Sequence, residues 1–114
     1  MAHTITACFV VVILLAASGT ASAQNAAQVE RGQKVFTSQK CSICHSVAGL
    51  GNKKGALDTV GAKLSADEIR QWILNAPDMA AKTKAERKPA MKAYASLAKE
   101  DLEGLVAYMA SLKK

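Results

Sequence analysis

The amino-acid sequence predicts an all-α domain. Three stretches carry apolar residues at helical spacing, one of them opens on a capping box, and no window alternates apolar with polar residues in the period of two that marks a strand. The first stretch is Gln28 to Gln39, where Val29, Gly32, Val35 and Phe36 share a face. Residues 46–64 hold Gly49, Gly51, Gly55 and Gly61 and are expected to be loop. Ser65-Ala66-Asp67-Glu68 reads as the capping box of a second helix, with Ile69, Trp72 and Ile73 following at i, i+3 and i+4. Pro77 ends it, since proline disfavours helical geometry in the residue before it. A short, weakly patterned helix is expected over 78–86. The last helix runs from about Lys99 to Leu112, with Leu102, Leu105, Val106, Met109 and Leu112 on one side. Glu100, Asp101 and Glu103 near its start and Lys113-Lys114 at its end complement the helix dipole.

The core these helices can build is thin. Of 114 residues 57 are apolar, but 22 of those are alanine and only five are aromatic. Beyond residue 23 the chain keeps 91 residues with 25 apolar side chains larger than alanine. A domain of this size excludes a multidomain or multi-span protein, and it usually needs a staple or a cofactor to complete its interior.

Residues 1–23 are expected to form a secretory signal peptide, with the domain occupying 24–114. Ile5 to Ala17 is apolar apart from Thr6, and Ala21-Ser22-Ala23 supplies a small-residue cleavage site. The alternative is a retained membrane anchor, because no charged residue occurs before Glu30. Cys8 precedes most of the apolar run, whereas a lipoprotein box closes it, and no function is assigned to Cys8. All 15 basic and nine acidic residues lie beyond Val29, so the domain keeps the whole +6 formal charge. Export and the lack of interleaved aromatics argue against nucleic acid, which leaves an acidic protein partner as the expected counterpart.

Cys41-Ser42-Ile43-Cys44-His45 is the motif that carries chemistry. C-x-x-C-H is the attachment pattern of a c-type haem. Two cysteines three positions apart can each form a thioether with one vinyl group, and His45 then lies under the iron as proximal ligand. A thioredoxin-like site needs a βαβ setting. A structural zinc site needs four ligands, and only Cys41, Cys44 and His45 remain once the leader is removed. A disulfide between Cys41 and Cys44 would close a very small loop and contribute little.

On these residues the chain resembles the small soluble class I cytochromes c over essentially all of residues 26–114. Gly32 and Phe36 stand where that family's N-terminal helix has its G-x-x-x-F pair, and Leu105 and Tyr108 where its C-terminal helix has L-x-x-Y. The resemblance implies a class I cytochrome c fold, three main helices packed around one covalently attached haem c. In such a fold the glycine lets the two terminal helices cross closely.

With His3 in the leader, a second histidine ligand within one mature chain is excluded. Lys88-Pro89-Ala90-Met91 resembles the family loop that brings a methionine sulfur to the iron, with Met91 17 residues before Tyr108. Met79 is the competing sixth ligand, an open sixth position is a third reading, and Met109 is expected in the core. The resemblance implies that Trp72 meets a haem propionate, or else packs its ring and turns its N–H to water; Tyr94 is a similar candidate. Where the family often has Gly-Pro, whose proline carbonyl orients the ligand histidine, this chain has Gly55-Ala56, so the Ala56 carbonyl is the expected partner of His45. The chain also departs from the family pattern at Ala98, where a capping side chain is usual.

Lys82, Lys84, Arg87, Lys88 and Lys92 cluster about Met91, and Lys40, Lys53 and Lys54 lie near the motif, so both groups would surround an exposed haem edge and steer an acidic partner. The function expected is that of an exported, periplasmic single-electron carrier, monomeric when soluble and not itself an enzyme. The alternatives are a haem subunit of a larger membrane redox complex, a ligand-binding sensor or peroxidase-like protein, and a small helical module without haem.

Overall fold

The computed structural model describes residues 20–114, with side chains from residue 25 onward. The expected signal peptide, with His3 and Cys8, thus lies almost wholly outside the described residues. Five helices and one minute hairpin follow in order: α1 (Thr20–Ser38), a 3-10 turn (Cys41–Ile43), β1 (Ser46–Val47), β2 (Leu50–Gly51), a second 3-10 turn (Lys53–Gly55), α2 (Val60–Lys63), α3 (Ala66–Leu74), α4 (Ala76–Thr83) and α5 (Lys99–Ser111). The fold is all-α, as the periodicity predicts. α1 starts earlier than its apolar pattern, running through the expected leader boundary at residue 23.

The terminal helices α1 and α5 cross closely, and two glycines make this crossing. A Cβ on Gly32 would run into the Gly104 carbonyl and come within 2.6 Å of the Tyr108 Cβ. A Cβ on Gly104 would meet the Gln28 carbonyl at 3.1 Å. At the same junction the rings of Phe36 and Tyr108 meet edge to face, with centroids 5.9 Å apart and an interplanar angle of 87°. Val35, Phe36, Leu102, Leu105, Val106 and Met109 fill the space between the helices, and Ile69 and Ile73 of α3 close the core. Arg70 ties α3 to α5 by donating to both oxygens of Glu103, at 3.0 and 2.8 Å.

α3 begins as its sequence requires. The Ser65 hydroxyl accepts from the Glu68 N–H, and the Glu68 carboxylate accepts from the Ser65 N–H. Asn75 ends it, and Pro77 then sits in the first turn of α4, where its missing N–H costs nothing. One proline therefore both stops α3 and starts α4, which places α4 slightly earlier than the expected 78–86. Lys84, in the left-handed region at φ 54°, closes α4, and the Ala85 N–H bonds the Ala80 carbonyl at 2.9 Å.

Residues 46–64 are more ordered than their glycines suggest. Ala48 and Gly49 both have positive φ, 51° and 79°, the geometry of a two-residue turn that closes β1 onto β2. The strained Ala48 is held by the Asp58 carboxylate, which accepts its N–H at 2.7 Å. Ala-Gly lacks the Asn-Gly or Asp-Gly signature of such a turn, and two-residue strands are too short to show alternation. α2 is docked at the far end of α5, where the Gly61 N–H bonds the Leu112 carbonyl at 2.7 Å.

Candidate functional site

The end of α1 delivers the motif. Lys40 turns the chain through the left-handed region, and the 3-10 turn that follows is closed by N–H bonds from Cys44 and His45 to the Cys41 carbonyl, at 3.1 and 2.9 Å. The two sulfurs are not bonded to each other. Both thiols and the His45 imidazole line a cavity of about 580 Å³, within the size range of cofactor sites. Trp72 of α3, with Met91 and Tyr94 of the loop between α4 and α5, lines the same cavity. Among the described residues no group of three His, Cys, Asp or Glu side chains is gathered as a metal cage, which leaves the zinc alternative without a ligand set.

The two candidate methionine ligands part here. Met91 reaches the cavity; Met79, on α4, is half-buried elsewhere. Met109 is buried in the core, as its helix position predicts, and one side of it also borders the cavity. Trp72 is half-buried, and its indole N–H bonds no other described residue.

The His45 ring is fixed by one hydrogen bond. Its Nδ1–H donates to the carbonyl oxygen of Gly55 at 3.0 Å, which leaves the lone pair on Nε2. The expected partner, the Ala56 carbonyl, is thus corrected by one position. Ala56 is extended, at φ −60° and ψ 132°, and bridges in parallel to Ser46, with the Leu57 N–H on the Ser46 carbonyl at 2.9 Å. Gly55 ends the second 3-10 turn just before this extended residue, and it is the carbonyl at the end of that turn that faces the imidazole.

The stiffness a proline would give this turn comes from Asn52. Its side-chain oxygen accepts the Lys54 N–H at 3.1 Å, its side-chain nitrogen donates to the Ile43 carbonyl at 3.2 Å, and its own N–H donates to the Ser42 carbonyl at 3.0 Å. Asn52 therefore couples the Gly55 turn to the cysteine turn. In sequence it is one polar residue in a glycine-rich loop, with no signal to raise it.

The electrostatics suit a neutral imidazole and a protonated Cys41 thiol. Burial pushes His45 below its usual value of 6.5; the bond to Gly55 opposes this and the nearby Arg87 adds to it. Burial pushes the Cys41 thiol and the Tyr94 phenol up, which keeps both protonated. Arg87 is not the free surface charge its neighbours suggest, because its Nη2 donates to the Cys44 carbonyl. Lys92 lies over the Tyr94 ring, 5.0 Å from its centroid. Lys82, Lys84 and Lys88 are exposed, and none of them joins an ion pair among the described residues.

Two sulfur nucleophiles, an imidazole nitrogen with its second nitrogen anchored, and a thioether sulfur thus share one apolar cavity. That donor set fits a c-type haem. Comparison with known proteins agrees. The family model described as Cytochrome c matches residues 29–113. The cytochrome c oxidase subunit 2 of Alkalihalophilus pseudofirmus is 30% identical over 92 residues, which cover 73% of this chain and 25% of that protein. The chain thus spans about a quarter of the length of this relative. No solved structure matches the chain significantly.

Proposed function

The chain belongs to the class I cytochrome c family, whose members transfer electrons through haem iron, and on that premise we propose that it is an exported, periplasmic carrier of single electrons with one covalent haem c. The observation that carries this reading is the convergence of Cys41, Cys44, His45 and Met91 on one cavity of about 580 Å³. Cys41 and Cys44 would hold the macrocycle, each thiol adding S–H across a vinyl group with no atom lost. Haem supplies a one-electron iron couple when bound.

The remaining roles fall to the chain. His45 would offer Nε2 to the iron, and its Nδ1–H on Gly55 fixes the ring and would raise the donor strength of the other nitrogen. Met91 would offer its sulfur from the loop between α4 and α5, a pairing that would raise the reduction potential and leave no position for substrate, as suits a carrier. Trp72 and Tyr94, which line the same cavity, would contact the propionates. The exposed lysines of the Met91 loop, with Lys40, Lys53 and Lys54, would draw an acidic face of a redox partner toward the cavity mouth.

A second reading draws on the likeness to an oxidase subunit: the domain works as the haem module of a membrane redox complex, tethered by its N-terminal segment. Among the described residues no helix is long and apolar enough to cross a membrane. Intact mass of the native protein separates the two, since loss of residues 1–23 removes the tether.

A spectroelectrochemical titration tests the main proposal. It should give one one-electron wave and a low-spin spectrum with the far-red methionine–iron band, lost in Met91→Ala and kept in Met79→Ala. A high-spin spectrum with ready binding of carbon monoxide would replace the carrier by a ligand-binding protein.

A further inference from the structure

The loop that carries Met91 is poorly held by its own backbone. Ala85 bonds back to Ala80 at 2.9 Å and the Tyr94 N–H bonds the Ile73 carbonyl at 2.8 Å, but between them residues 86–93 make no backbone–backbone hydrogen bond to any described residue. Residues 86–90 are exposed, and Met91, half-buried, is one of several residues of the loop that line the cavity. One side-chain hydrogen bond interrupts this free stretch: the Arg87 guanidinium donates to the carbonyl of Cys44, 43 positions away and next to His45.

The receiving surface is shaped for it. A Cβ on Gly55 would collide with the Arg87 guanidinium and with the Cys44 carbonyl. Gly55 has no positive φ, so the glycine there serves to make room. The same Gly55 gives its carbonyl to His45. One planar cation thus rests on the two backbone units that build the histidine side of the site, while its own backbone belongs to the methionine side. A lysine has no rigid fork to fill such a place.

We propose that Arg87 is a positioning residue, a latch that fastens the Met91 loop to the Cys41–His45 turn and so keeps the sixth-ligand position closed. This rests on the reading of Met91 as sixth ligand. Opening the loop then requires breaking a charge-assisted hydrogen bond in addition to the bond between Met91 and the iron. Because the guanidinium is solvent-exposed, the effect sits at the low end for such bonds, about a ten-fold change in the open population.

The test uses the holoprotein in its ferric state and imidazole as the incoming ligand. At saturating imidazole the binding rate reports loop opening. Arg87→Ala and Arg87→Gln should raise that rate about ten-fold, and Arg87→Lys, which keeps charge without the fork, should fall between them and the native protein. All three should keep the far-red band at rest and melt close to the native protein, since a purely structural role would lower thermal stability without a specific gain in opening. Met91→Ala serves as the reference for an open site. If Met91→Ala loses the band and binds imidazole at once while Arg87→Ala binds at the native rate, the latch is overturned and the ligand assignment stands. If Met91→Ala keeps the band, the ligand assignment fails and the latch falls with it.

Discussion

Two bonds from Gly55 and Asn52 decide what His45 can do. The Gly55 carbonyl takes the Nδ1–H, and Asn52 holds the turn that presents it. Burial favours the neutral ring, the form whose Nε2 lone pair is open to a metal. Glu103, held below its usual 4.5 by the Arg70 guanidinium, binds fewer protons folded than unfolded just below that value, so its contribution to stability is lost as pH falls through the lowered folded value. Urea melts of the holoprotein should therefore show stability declining as pH falls below 4.5. A stability that climbs on acidification through that window would contradict the pairing of Glu103 with Arg70.

At the scale of elements, the α1–α5 crossing is the most exacting contact in the fold. Gly32→Ala places a methyl against the Gly104 carbonyl and the Tyr108 Cβ, and neither can yield without moving a helix. The cost expected is about 1–3 kcal/mol, read as a lowered midpoint in chemical denaturation; a midpoint within error of the native protein would mean that the helices slide apart freely. Gly32, Phe36 and Leu105 are legible in the sequence because their spacing encodes packed helix faces, and Tyr108 is legible through the family resemblance. The reciprocal Gly104 was not, since one glycine inside an apolar helix looks like a tolerated weakness until its neighbour across the crossing is known. The same limit applies to the site. Cys41, Cys44 and His45 are contiguous and announce their chemistry, and Met91 stands out among few methionines. Gly55, Asn52 and Arg87 act through contacts that span nine or more positions or through a one-residue register, and their identities alone carry no such message.

Over the whole molecule, charge and core divide the work. Among the described residues the ion pairs lie on α1, α3 and α5, at Arg31–Asp101, Lys34–Glu30 and Arg70 with Asp67 and Glu103. The lysines about the cavity loop enter none of them, and that end keeps the surplus of positive charge. The exposed Ile43 and Leu50 lie close in sequence to Lys40, Lys53 and Lys54. Electron exchange with an acidic redox protein should slow as salt rises, because the Debye length shrinks from about 10 Å at 0.1 M to about 3 Å at 1 M. A rate independent of ionic strength would remove the docking role of these lysines.

The shortage of large apolar side chains has a counterpart in the fold. Among the described residues eight buried side chains form the core cluster, and beside them lies an apolar-lined cavity of about 580 Å³ with two thiols and an imidazole on its wall. On the proposed reading the haem would fill this space and complete the interior. The most direct test is the mass of the native protein after full denaturation and organic extraction. One haem per chain should be retained, and it should be lost when Cys41 and Cys44 are both changed to alanine. A denatured chain that sheds its haem, or never carried one, would contradict that reading.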